Sequence, residues 1–178
     1  MQFTIVSGTN RPGNLSLKVA SICHQMLSDA GLDASLVDLA DLPRDIAFDY
    51  LGDSKSFASF QKIVDDSTHF VFVVPEYNAS IPGILKLFID ACSYPESFKG
   101  KHVALIGIAA GELGNEPGIR HMDEIMRCFG AEVCEGQVLL ANIRKNLLPD
   151  GQFGPQFPSA EIEAQFSTWL QKKIGVNS

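Results

Sequence analysis

Residues 7–16, "SGTNRPGNLS", pack two glycines, a proline, an arginine and five small polar residues into ten positions. The apolar run "QFTIV" precedes them and a helical pattern follows, so the stretch joins a strand end to a helix start. At such a junction, free backbone N–H groups and the helix dipole favour an anion. Thr9, Asn14 and Ser16 add side-chain donors, and Arg11 adds a planar cation suited to phosphate. The chemistry expected here is a phosphate cradle. An ordinary turn closed by a Ser or Asn cap uses the same residue types; position and the arginine favour the cradle. Two better-known cradles fail. A Walker A loop needs Lys and Ser or Thr where "GTNRPGNL" has Asn14 and Leu15, so nucleotide hydrolysis is not expected. A GxGxxG fingerprint fails because Asn10 stands where its second glycine belongs.

A second polar loop opens "PEYNASIPGILKLFID", residues 75–90. Its backbone N–H groups over 76–80 suit the edge of a flat ligand, with Tyr77 or Ile81 at the rim. Half-buried surface placement is the alternative for Tyr77. Lys86 and Asp90 stand four apart on the helix that follows and read as a structural pair. Glu76 has acid or base capacity, but no histidine or second carboxylate is arranged with it. His24, His69, His102 and His121 show no metal spacing. Cys23, Cys92, Cys128 and Cys134 form no CxxC pair and read as reduced thiols in a cytoplasmic protein.

The elements that position these loops follow from periodicity. "QFTIV" and "ASLVDL" read as strands. So does "HFVFVVP", five of whose seven residues are Phe or Val. "HVALIGIAA" and "AEVCEGQVLLA" supply a fourth and a fifth. Helices are expected from Leu15 to near Gly31, near 55–67, from Pro82, over 117–130, and from a cap at Ser159. Residues 142–158 read as irregular chain. Strands alternating with helices imply right-handed βαβ units on a parallel sheet. Five strands suit the order 2-1-3-4-5, with the ligand site beyond their carboxyl ends, in the loops after strands one, three and four.

Length and charge are consistent with this. At 178 residues a chain buries roughly 70% of its unfolded surface in one domain, without a disulfide or metal staple. A net charge of −7 argues against non-specific nucleic-acid binding. No apolar run reaches the ~20 residues of a membrane span, and "MQFTIVSG" lacks the basic start of a signal peptide.

The two loops together resemble the NAD(P)H-dependent FMN reductase family, whose relatives include quinone, azo-dye and chromate reductases. Gly8, Thr9, Arg11, Asn14 and Ser16 occupy the places of its first-loop pattern, and Pro75, Glu76, Tyr77 and Asn78 match its Pro-Glu-Tyr-Asn loop in full. The third loop, "AAGELGNEPG", keeps Gly111 and Gly114 but has Asn115 in place of a glycine. The resemblance implies a flavodoxin-like three-layer α/β fold over residues 1–178, with helices on both faces of the sheet. It implies FMN held by Thr9, Arg11, Asn14, Leu15, Ser16, Pro75, Glu76, Tyr77, Asn78, Ala79, Ile81, Ala110 and Gly111. NADPH or NADH would give hydride, and a quinone, a flavin or a similar small molecule would accept the electrons. No catalytic side chain is implied, because the cofactor carries the chemistry. A homodimer or homotetramer is implied as well. A flavodoxin-like electron-transfer protein and a non-catalytic flavin-binding sensor are the alternatives.

Overall fold

The computed structural model describes residues 1–47, 55–155, 157–164 and 166. Strands β1 (Gln2–Ser7), β2 (Asp33–Asp38), β3 (His69–Pro75) and β4 (His102–Ile108) pair in parallel, and β2 lies at one edge. The sheet order is β2-β1-β3-β4, followed by β5 (Glu132–Val133). A sixth strand, β6 (Val138–Leu140), also pairs in parallel with β4, further along. Helices α1 (Leu15–Asp29), α2 (Ala58–Asp66), α3 (Gly83–Ala91) and α4 (Glu116–Cys128) connect them. This is the expected 2-1-3-4-5 order.

The continuous apolar runs of the central strands are explained by cover on both faces. Successive strand side chains point to opposite sides. Accordingly Phe70, Phe72 and Val74 of β3 join Val103 and Leu105 of β4 in one core with Val64 of α2, Phe88 of α3 and Met122 of α4. Val71 and Val73, with Ala104 and Ile106, join the other core with Val19 and Cys23 of α1. Ile162 and Phe166 also belong to this second core, and residues 159–164 are helical. Each fully buried Phe (Phe3, Phe70, Phe72, Phe88, Phe98) is worth about 1.5–3 kcal/mol.

Three expectations need correction. The fifth strand is broken. After Cys134, whose N–H still donates to Val103 O of β4 at 2.8 Å, residues Glu135–Gln137 leave the sheet between β5 and β6, at a point where Gly136 has φ +77°. Pro82 is the cap before α3 rather than a first-turn residue. Residues 142–158 are not merely irregular. A short 3-10 turn runs Ile143–Asn146, Leu147 bridges Phe153, and Ile143 and Phe157 are buried against the α1 face of the sheet. The expected helix near 55–67 is found as α2, while part of the Asp-, Pro- and Gly-containing loop before it lies outside the described residues. So does the part of the expected closing helix that falls beyond 166.

Candidate functional site

β1 delivers the first loop against β3. The Gly8 N–H donates to Val73 O at 2.9 Å, and a Cβ on Gly8 would lie 2.6 Å from that oxygen. No side chain fits there, so glycine sets how closely the loop approaches the sheet. Asn14 then caps α1. Its Oδ1 accepts from Leu17 N and from Ser16 Oγ, both at 2.7 Å, and its Nδ2 donates to Arg11 O at 2.8 Å. Ser16 is fully buried. The Ser16 hydroxyl and the Asn14 amide oxygen, with one of the Asn14 amide hydrogens, are thus used to hold the loop, which narrows the side-chain donors expected from them. What remains for an anion is chiefly the backbone. The N–H groups of Leu15 and Ser16 stand in the first helical turn, where no intrahelical partner exists. That turn carries no acidic residue, and the Arg11 side chain is exposed.

The second loop is built as a tight turn. Tyr77 and Ser80 exchange two backbone hydrogen bonds at 3.0 Å each. Between them Asn78 (φ 53°) and Ala79 (φ 57°) are both left-handed, the mark of a type I′ turn. Glycine is the usual second corner, and alanine there costs about 1–2 kcal/mol. The Glu76 N–H donates to Ile108 O at 3.0 Å. Three of the five N–H groups over 76–80 are thus consumed internally, which narrows the expected ring-edge donors to Asn78 and Ala79. Thr9 Oγ1 and Tyr77 OH share a hydrogen bond of 2.9 Å that ties the first loop to the second. Ser80 Oγ lies 2.9 Å from His121 Nδ1 on α4.

Asn115, the departure in the third loop, is a structural asset. It is fully buried with φ 68°, a conformation asparagine tolerates better than most residues. Its Nδ2 donates to Val74 O at 3.0 Å, and its Oδ1 accepts from Gly118 N at 3.1 Å, capping α4. The same loop passes so close to β4 that a Cβ on Gly107 would stand 2.2 Å from Gly114 O.

Thr9, Arg11, Asn14, Leu15, Ser16, Pro75, Glu76, Tyr77 and Ala110 all line one cleft of about 290 Å³ at the carboxyl ends of the strands. Asn78, Ala79, Ile81 and Gly111 do not line it. Ile81 packs against the core instead, and the Gly111 carbonyl accepts from Asn142 N at 2.7 Å. Pro12, Gly13 and Ala109 join the lining from the loops already named, and Ile108, Ile143 and Arg144 add walls that the sequence did not announce. Ile143 and Arg144 follow β6, and extending the carboxyl-end rule to the fifth strand position would have found them.

None of the four cysteines lines this cleft. Burial pushes Cys23 up to about 12 and Cys92 up as well, so neither is a thiolate near neutrality. Among the described residues no cluster of three or more His, Cys, Asp or Glu side chains can hold a metal. No helix among them is long and apolar enough to cross a membrane.

Residues 1–145 match the model of the NADPH-dependent FMN reductase family. The chain belongs to that family. A quinone reductase of Pseudomonas putida is 31% identical over 116 residues, covering 62% of this chain and 61% of that one. This reductase-family chain thus spans about three fifths of the length of that relative. Among solved structures, FerB, a flavoenzyme NAD(P)H:(acceptor) oxidoreductase from Paracoccus denitrificans, superposes with TM-score 0.76 at 22% identity, over 96% of this chain and 97% of that one. A two-electron reduced flavodoxin from Megasphaera elsdenii superposes with TM-score 0.57 at 17% identity, over 94% and 99%. The fold is flavodoxin-like.

The cleft's own chemistry fits the family's cofactor. Free first-turn N–H groups and arginine suit a phosphomonoester, and the lining carries a single carboxylate, Glu76. Leu15, Pro75, Ile108, Ala109, Ala110 and Ile143 give an apolar wall, with Tyr77 beside it.

Proposed function

We propose that this chain is an FMN-dependent NAD(P)H oxidoreductase with a quinone, a flavin or a similar small molecule as electron acceptor. One observation carries the reading: Arg11, the first turn of α1 and the Pro75–Tyr77 loop meet in a single cleft at the carboxyl ends of the strands. When bound there, FMN supplies two-electron chemistry between a reduced nicotinamide and the acceptor. The chain's own residues bind and orient. Arg11 and the N–H groups of Leu15 and Ser16 take the phosphate. Asn14 and Ser16 keep that loop in shape from behind. The Thr9–Tyr77 contact sets the spacing between the phosphate loop and the turn. The N–H groups of Asn78 and Ala79, beside the cleft rather than in its lining, are assigned to the ring edge, with Ala110 in the lining and Gly111 next to it. The Ser80–His121 hydrogen bond beside the turn lies outside the cleft lining and is given no part in the reaction.

The reading extends to a single flavin-binding domain over residues 1–178, a cytoplasmic location supported by four cysteines outside any disulfide, and a homodimer or homotetramer supported by the family resemblance. Light scattering on the purified protein checks the last point.

The deciding experiment is anaerobic. Purified protein supplemented with FMN is expected to quench flavin fluorescence. NADPH or NADH then bleaches the bound flavin, and a quinone restores its colour. Absence of FMN binding at micromolar concentration defeats the reading. Bleaching by dithionite but by neither nicotinamide favours an electron carrier instead.

A further inference from the structure

Arg144 was absent from the expected site, yet it lines the same cleft as Arg11. Its place is built rather than incidental. Ile143, its neighbour, is buried in the core that also holds Val19 and Ala20 of α1. The Ile143 N–H donates to Ala109 O at 3.0 Å and the Asn142 N–H to Gly111 O at 2.7 Å, fastening this turn to the third loop. Further along, Lys18 on α1 donates to the Gly151 carbonyl, fastening the same segment to the helix whose N-terminus faces the cleft. Arg144 is thus held between the third loop and α1.

Charge completes the argument. The chain carries a net charge of −7, but the cleft lining holds two arginines against one glutamate. Among the described residues neither Arg11 nor Arg144 enters an ion pair, although Arg127 does. A phosphomonoester carries about −1.5 to −2 charges at neutral pH, which a single guanidinium does not balance. A planar guanidinium on each of two separate elements does.

Building on the FMN reading above, we propose that Arg144 is the second cation of the phosphate cradle, delivered from the turn after β6 and acting together with Arg11. FMN and riboflavin, which share the ring and differ in the phosphate, test it. Affinities of both are measured by fluorescence quenching for the wild type, Arg144→Ala and Arg144→Lys in the full chain. Arg144→Ala is expected to weaken FMN about ten-fold, the lower end for a charge-assisted bond, and to move riboflavin less than two-fold. Arg144→Lys, which keeps the charge and loses the fork, is expected to fall between. Thermal unfolding of the apoprotein is expected to be unchanged, because the side chain is exposed.

Equal shifts for the two flavins, or none for either, would overturn the inference. So would unchanged FMN affinity with a raised KM for NADPH but not for the uncharged donor 1-benzyl-1,4-dihydronicotinamide, which would give Arg144 to the hydride donor. A wild type that binds no FMN defeats the parent reading and this one together. A wild type that binds FMN beside an unmoved Arg144→Ala defeats this inference alone.

Discussion

The phosphate loop and the Tyr77–Ser80 turn spend their polar groups in opposite ways. In the loop, side chains satisfy one another: Asn14 takes Leu17 N and Ser16 Oγ, and its amide holds Arg11 O. The N–H groups of Leu15 and Ser16 stay available. In the turn, the backbone satisfies itself through the Tyr77–Ser80 pair and the Glu76–Ile108 bond, at the cost of two left-handed residues. A site for an anion needs many open donors, so its side chains do the holding. A site for a flat edge needs few donors at fixed spacing, so backbone pairing does the holding and the conformational strain is accepted.

The strongest challenge to this contrast is Asn115→Ala, which attacks the support beneath the turn. It removes the bond to Val74 O and the α4 cap, and leaves alanine at positive φ. The expected loss is about 3 kcal/mol of stability, read from denaturant midpoints, with Asn115→Gly losing less because it keeps the backbone conformation. An unchanged midpoint would show that the third loop does not hold the end of β3 through this residue.

Arg11→Ala comes next and acts on the loop alone. A lost charge-assisted contact of ~1.5–3 kcal/mol weakens FMN roughly 10- to 150-fold and leaves riboflavin nearly unchanged. Equal effects on the two flavins would remove residues 7–16 from the phosphate.

Tyr77→Phe cuts the side-chain hydrogen bond between loop and turn. It is expected to cost about 1 kcal/mol of stability. Thr9→Val should cost a similar amount, and the double variant little more than either. Full additivity by calorimetry would show that the two regions are not joined through this bond.

The smallest effect has the opposite sign. Ala79→Gly relieves about 1–2 kcal/mol of left-handed strain and gives back much of it through the freer unfolded chain. A net stabilisation of about 0.5 kcal/mol is expected in a thermal melt. Destabilisation would mean that the turn is not strained at Ala79.

Most of the fold was legible because burial on both faces writes itself as unbroken Val, Ile and Phe, as in "HFVFVVP". The break after Val133 was not. At an edge, a strand that leaves the sheet and returns keeps nearly the same composition as one that stays. The place of Arg11 in the cleft was legible because it stands in the loop that leaves the carboxyl end of β1. The inward turn of Asn14 and Ser16 was hidden, since a hydroxyl or amide names no partner until the chain closes. The turn was half legible. Asn78 signals a left-handed corner, whereas Ala79 gives no such sign. Arg144 was missed because its segment has no periodicity. Its position comes from Ile143 and Phe157 packing at a distance in sequence.

The broken fifth strand has a bearing on how the molecule behaves in a crowd. A long straight edge of unpaired peptide groups invites another chain to add a strand, the first step toward fibrils. Here one edge offers two residues, then an excursion carrying Glu135 and Gly136, then three more. The other edge, β2, has an aspartate at each end. The broken border gives a newcomer no continuous register to copy, and the aspartates that bound β2 disfavour addition at the other. The sheet's hydrogen-bonding rim is thus a poorer seam for self-association than helix faces and loops.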